Sequence, residues 1–299
     1  MISKQIKQGV KSILQKAKIE VRRIPDNNND SNNRKPDLPP IFDDPLAALA
    51  YEQVGRRAAF SCPLKYCLKL NGLSNWHPFV ETLREYELGK ITTYEGSVLE
   101  AYYNKHQPAN ASEAIVGFKQ TPDIFRTQPA HVYRLSPWHP DSAEHVDSSV
   151  KEFTKEHFPS HDGEVMTLES DGFQYHGPVS QKKGQFEYHR LIQIYESIKD
   201  NGYNRELGHA YFLMLRRGKD VRFLARGDGN HRTAAMAALG HDKIPALFQR
   251  PIIFDIEMAE HWVQVQKNVW THDQAVAYFN HLFDFDSRKW ARKHNLISR

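Results

Sequence analysis

Residues 210–246, AYFLMLRRGKDVRFLARGDGNHRTAAMAALGHDKIPA, carry the reading that decides the fold. Stretches 210–216 and 221–225 are apolar and β-prone, and Arg217-Gly218-Lys219-Asp220 between them is a hairpin turn, so they read as two strands. The glycine-punctuated turn Gly227-Asp228-Gly229 follows. The Ala-rich stretch 233–239 then reads as a helix stopped by Gly240. Stretches 244–248 and 252–256 are strand-like again. Upstream, Glu187, Arg190, Leu191, Ile194 and Ile198 fall on neighbouring helical turns, with Asn201-Gly202 as the stop signal. Helices and strands mixed in this way predict an α+β fold.

The turn before the Ala-rich helix is also where chemistry is expected. Gly227 and Gly229 let the backbone approach a ligand closely. The helix behind them turns unpaired N–H groups and its positive dipole end toward the turn, which suits a phosphate. Arg232 can fork onto phosphate oxygens, and His231 can donate or accept a proton near neutral pH. Asp228 can hold a divalent cation or take a proton from a hydroxyl. A plain tight turn, with Asp228 capping the helix, is the competing reading. No Gly-Lys-Ser/Thr ending makes this a Walker A loop, and a third glycine is missing for a dinucleotide fingerprint.

The order of features over residues 187–246 resembles the ParB/sulfiredoxin-like superfamily. EYHRLIQIYESIKDNGY, two strands and GDGNHRTAAMAALGHDKIPA match its helix, two strands, Gly-x-x-Arg turn, Ala-rich helix and Ile/Val-Pro. The resemblance covers about a fifth of the chain. It implies nucleotide binding by Gly227, Gly229, Asn230, His231, Arg232 and Thr233. Sulfiredoxins place a nucleophilic cysteine where this chain has Asn230, so sulfinic-acid reduction by that route is excluded. Partition-type members have Gly-Glu-Arg-Arg and a DNA-binding domain downstream, whereas this turn reads Gly-Asn-His-Arg. Asp228-Gly229 looks most like the free-serine-kinase branch, which also has an upstream glutamate that activates the acceptor hydroxyl.

That branch implies a nucleotide-dependent phosphotransferase acting on a small hydroxyl-bearing substrate, such as a sugar or glycan precursor. ATP or ADP would be the donor, with CTP a third candidate, and Mg²⁺ would sit at Asp228. Glu187, Asp228 and His231 are the implied catalytic residues, with Glu187 as the base; the plainer role for Glu187 is an exposed pair with Arg190. Two readings of other classes stay open: a nucleotide-gated DNA- or partner-binding protein, and an inert scaffold with the same fold.

Around this segment the expected organisation has four parts. Residues 1–42 are a basic amphipathic helix and an Asn- and Pro-rich linker, 43–125 a helical domain, 126–256 the ParB/sulfiredoxin-like domain, and 257–299 a helical tail. Stretches 131–135 and 165–168 read as short strands, with polar sequence between them. Tyr102 and Tyr103 fall at helical spacing and suit either the core or a ligand. The formal charge of +4 is uneven: residues 1–35 carry +6, residues 286–299 carry +4, and the body between them −6. Nucleic acid is therefore an unfavoured partner for the body. Residues 1–23 suit packing on their own domain, a partner, or an anionic membrane surface.

No apolar run approaches the ~20 residues of a membrane helix. Cys62 and Cys67 match no zinc motif and, if helical, lie on different faces; a cytoplasmic setting follows, peripheral to the inner membrane face if the first helix docks there. The His139/Asp141/Glu144/His145 group and the His157/His161 pair read as polar surface rather than metal sites. Basic, aromatic Ser287–Lys293 reads as a solvated helix face.

Overall fold

Alternation along one strand organises the protein into two cores. Strand β6 (Ala210–Arg217) sends Phe212 and Met214 into one apolar cluster and Leu213 and Leu215 into the other. Its neighbour β7 (Asp220–Arg226) divides Phe223 from Leu224 in the same way. A strand covered on both faces reads as an unbroken apolar run, and residues 210–215 are one. The expected hairpin is present, with β6 and β7 antiparallel and paired from Tyr211↔Arg226 to Arg217↔Asp220. The computed structural model describes residues 38–157, 165–226 and 229–297. The expectations for the basic helix and most of the linker lie outside those residues.

The sheet has six strands in the order β1-β2-β8-β6-β7-β3. The remaining members are β1 (Ile41–Phe42), β2 (Ala59–Pro63), β3 (Cys67–Leu68) and β8 (Lys243–Asp255). The two strand-like stretches after 243 are thus one strand, parallel to β6, with a register shift opposite Phe212/Met214. Strands β4 (Gly172–Phe173) and β5 (His176–Val179) form a separate hairpin. The protein is a mixed α+β fold. Because β1, β2 and β3 belong to the main sheet, and residues 38–299 form one compact unit, the boundary expected at 125/126 separates strands of a single sheet.

Helices cover both faces. On the first lie α1 (Pro45–Gln53), α2 (Pro78–Glu87) and α3 (Val98–Lys105). The second face carries the short α4 (Ala111–Ala114), the 3-10 turns Asp123–Arg126 and Ala130–Arg134, and α5 (Ala143–His157). Two strand expectations fail here. Residues 131–135 lie in and just after the 3-10 turn entered through Pro129, and 165–168 lead into the one-turn α6 (Leu168–Asp171), capped by Thr167. Long α7 (Gln181–Asn201) stops at Gly202 in a positive-φ conformation, as the sequence implies, and starts at a Ser180 cap that the sequence reading did not single out. Helix α8 (Asn230–Ala238) follows β7. The tail forms α9 (Val263–Gln266), α10 (His272–Asp284) and α11 (Ser287–Lys293), where Lys289, Arg292 and Lys293 are exposed and Ser287 and Ala291 on the other face are buried. Among the described residues no helix is long and apolar enough to cross a membrane.

Cys62 and Cys67 do not share a helix. Cys62 lies one residue before the end of β2 and Cys67 begins β3, on either side of the 3-10 turn Leu64–Tyr66, with their Sγ atoms 3.6 Å apart and no disulfide between them.

Buried histidines make stability sensitive to acid, and two lie against each other. His106 and His176 are buried, and desolvation pushes each down to about 4. Unfolded, each binds its proton near 6.5. Between those values the unfolded chain holds more protons, so stability is complete above 6.5 and falls as the pH drops toward 4. At pH 5 each contributes a loss of about 2 kcal/mol. Urea denaturation at pH 7 and 5 is expected to show this fall, and His176→Asn is expected to reduce it by about 2 kcal/mol, with His139 and His209, also pushed down to about 4, supplying shares of their own; an equal fall in the variant would assign it elsewhere.

Candidate functional site

Gly229, the N-cap of α8, adopts φ +96° and brings the helix start onto β6. A Cβ there would lie 2.5 Å from the Ala210 Cα, so only glycine permits this approach. From that point successive side chains leave the helix about 100° apart and meet different surroundings. Thr233 Oγ1 turns back and donates to the Gly229 carbonyl at 2.8 Å. Gly227 and Asp228 lie outside the described residues.

Arg232 reaches outward and donates to the carbonyls of Leu207 and His209, each at 3.2 Å. It is joined there by Arg205, whose Nε donates to His209 Nε2 at 3.3 Å, and by Arg57, which donates to the Tyr211 hydroxyl at 3.1 Å. Burial, then Arg205, Arg232 and Arg57, push His209 down to about 4. Arg57 also acts on the Glu52 carboxylate, whereas Arg205 and Arg232 form no salt bridge with a carboxylate among the described residues.

His231 points toward α7. Its Nε2 lies 2.9 Å from Glu187 Oε2, and its ring stacks on Phe79 with centroids 5.1 Å apart. Glu187 is only 1% exposed, so it is a buried partner of His231 and not the exposed partner of Arg190 that its spacing allows. One turn earlier Lys183 is also buried and donates to the Gly172 carbonyl. Burial pushes Lys183 down to about 8, against the pull of Glu187 and Asp171.

Asn230 faces the third direction, into a cleft of about 40 Å³. Its amide donates to the Tyr175 hydroxyl at 2.6 Å, and its carbonyl oxygen accepts from Lys69. The cleft is walled by Leu70, Leu73, Phe79, Tyr102 and Tyr133, and the cations Lys69, Arg134 and Arg226 line it. No aspartate or glutamate is among its described lining residues. Desolvation pushes Lys69 down to about 7 and, with help from Arg134, Arg226 down to about 10. His77 caps α2 by accepting from the Phe79 N–H at 3.3 Å. Burial, Lys69 and His231 hold it well below the usual histidine range, so it is neutral. Gln174 is buried, and its Oε1 has no hydrogen-bond partner.

The fold therefore brings Glu187 and His231 together, turns Asn230 into a cleft, and sets Arg232 among other arginines. Lys69, His77, Arg134, Gln174, Tyr175 and Arg226 are the site residues that sequence reasoning missed. Arg226 alone carried a local signal, since it directly precedes the glycine turn. Tyr102 is both core and cleft wall, while Tyr103 donates to the Gln174 carbonyl at 2.8 Å. Among the described residues no three metal-ligating side chains gather. Comparisons with protein-family models, with curated proteins and with solved structures found no match.

Proposed function

We propose that the protein is a nucleotide-dependent phosphotransferase of the ParB/sulfiredoxin-like kind, acting on a small hydroxyl-bearing substrate. The observation that carries this reading is the buried Glu187–His231 pair at the start of α8, 2.9 Å between its polar atoms. Cationic groups on two sides of the same helix start support it. The chain order α7, β6, β7, α8, β8 supports the kinship.

A carboxylate with 1% exposure is poorly placed to meet a substrate directly. The hydroxyl proton therefore goes to His231 Nδ1, while Glu187 at Nε2 fixes the tautomer and stabilises the imidazolium, as in other carboxylate–histidine pairs. As that O–H bond breaks, the oxygen forms a bond to the terminal phosphorus of ATP or ADP. The bond from this phosphorus to its bridging oxygen breaks, and the electron pair leaves with ADP or AMP. Arg57, Arg205, Arg232 and the first-turn N–H groups of α8 hold the nucleotide phosphates. Mg²⁺ would arrive on those phosphates, with Asp228 as its protein carboxylate, and would neutralise charge there. A sugar or glycan precursor as acceptor, and contact of residues 1–23 with an anionic membrane, belong to the same proposal.

The arginine group also suits a non-catalytic nucleotide- or DNA-binding module, whose DNA affinity would fall steeply between ~50 and 200 mM salt. Calorimetry of ATP, ADP and CTP with Mg²⁺ tests the nucleotide site. Binding in the micromolar range is expected, weakened at least about tenfold by Arg205→Met, since one charged hydrogen bond contributes about 1.5–3 kcal/mol. Absence of binding by the folded protein would contradict the reading.

A further inference from the structure

We infer that the cleft beside Asn230 binds a phosphate group already carried by the acceptor, so that the substrate is a small phosphorylated hydroxyl compound. That the compound is the acceptor rests on the phosphoryl-transfer reading; the anion site itself does not. Lys69, Arg134 and Arg226 come from three separate segments and line one cleft, and none is in an ion pair among the described residues. Gathering three basic side chains in a recess with no acidic residue among its described lining is unfavourable, and a bound anion relieves it. A phosphate monoester, with about −1.5 to −2 charges at neutral pH, answers three cations better than a single carboxylate does.

Three further features point the same way. Helices α2 and α8 both begin at the cleft, through His77-Pro78-Phe79 and Asn230, and add their positive ends to it. Gln174 is 6% exposed and lines the cleft, with its Oε1 unpartnered, an acceptor ready for a substrate hydroxyl. The volume of about 40 Å³ is far below the roughly 300–1,000 Å³ of drug-sized ligand pockets. It suits a compact anion and leaves the nucleotide to the arginine side of α8.

The test uses the full chain without nucleotide, titrated with glycerol 3-phosphate, inorganic phosphate and, as a neutral control, glycerol. One site per chain is expected for glycerol 3-phosphate, tighter than for inorganic phosphate, with none for glycerol. Lys69→Met and Arg226→Met are each expected to weaken it at least about tenfold, whereas Arg126→Met, on an exposed turn, leaves it unchanged. Melting curves confirm folding, and the two cleft variants are independent, so failure of one to fold leaves the other decisive.

No saturable binding by wild type would overturn the inference. So would binding that both cleft variants retain, which means an adventitious ion only, or binding of inorganic phosphate with exclusion of the ester. Phosphoryl transfer to neutral hydroxyl compounds, undiminished in Lys69→Met, would overturn the acceptor assignment and leave the phosphotransferase standing. Ester binding lost in both variants, with no transfer from any nucleotide, would do the reverse.

Discussion

Replacing Glu187 by glutamine is expected to lower phosphoryl transfer by about 10²–10⁴-fold while leaving nucleotide affinity nearly unchanged. The side chains match in shape, so the 2.9 Å contact with His231 survives. Its sense changes, however. A glutamine amide can donate to Nε2, which moves the ring proton to Nδ1 and removes the lone pair that would accept the hydroxyl proton. The negative charge that stabilises the imidazolium disappears as well. Lys183 loses a neighbouring anion in the same step, so stability also falls, by about 1–3 kcal/mol for a buried charge left poorly compensated. The turnover number, the nucleotide Kd and the melting temperature of the variant separate these effects. An unchanged turnover number in a folded variant would remove Glu187 and its partner from the mechanism.

Gly229→Ala is expected to destabilise the fold by about 3–5 kcal/mol, a large part of the total stability of a typical domain. Two terms add. The residue sits at φ +96°, where an L side chain is strained, and its Cβ would lie 2.5 Å from backbone at Ala210. Neither Ala210 in β6 nor the first turn of α8 can swing aside as a long side chain would. Gly240→Ala is the control: φ is +82°, yet a Cβ there meets nothing within 4 Å. Its cost is the conformational term alone, about 1 kcal/mol. Urea denaturation of the two variants measures the difference. Equal losses would show that the close approach of α8 to β6 contributes nothing.

These two positions also show what was legible in the sequence. The hairpin β6–β7, the body of α7 with its stop at Gly202, and the glycine-started α8 are local features, written in periodicity and turn chemistry. Strands β2 and β3 were hidden because their partners are distant: Phe60 pairs with Ala246, and Cys67 with Phe223. Residues 43–125 read as helical without those partners. Helix α5 was hidden in a polar stretch because its buried face is narrow, with Val146, Val150 and Thr154 four apart. His131-Val132-Tyr133 looked like a strand, but the chain enters it through Pro129 and closes a 3-10 turn there.

The site divides in the same way. Glu187, His231 and Arg232 were found because the helix start they surround is a local motif. The cleft was not, since Lys69, Arg134, Gln174, Tyr175 and Arg226 belong to separate segments that only the folded sheet assembles. The sequence likewise offered no sign that Arg232 would join Arg57 and Arg205 around His209.

Phosphoryl transfer at the start of α8 is tested by following labelled phosphate from nucleotide to acceptor. The 299-residue chain would be incubated with Mg²⁺ and ATP labelled at the γ-phosphate, or ADP labelled at the β-phosphate, over a panel of small hydroxyl compounds and their phosphate esters. Label is expected in a new phosphate ester, formed in step with ADP or AMP and abolished by His231→Ala. Label that stays in nucleotide and inorganic phosphate across the whole panel, with folded protein, would contradict the account.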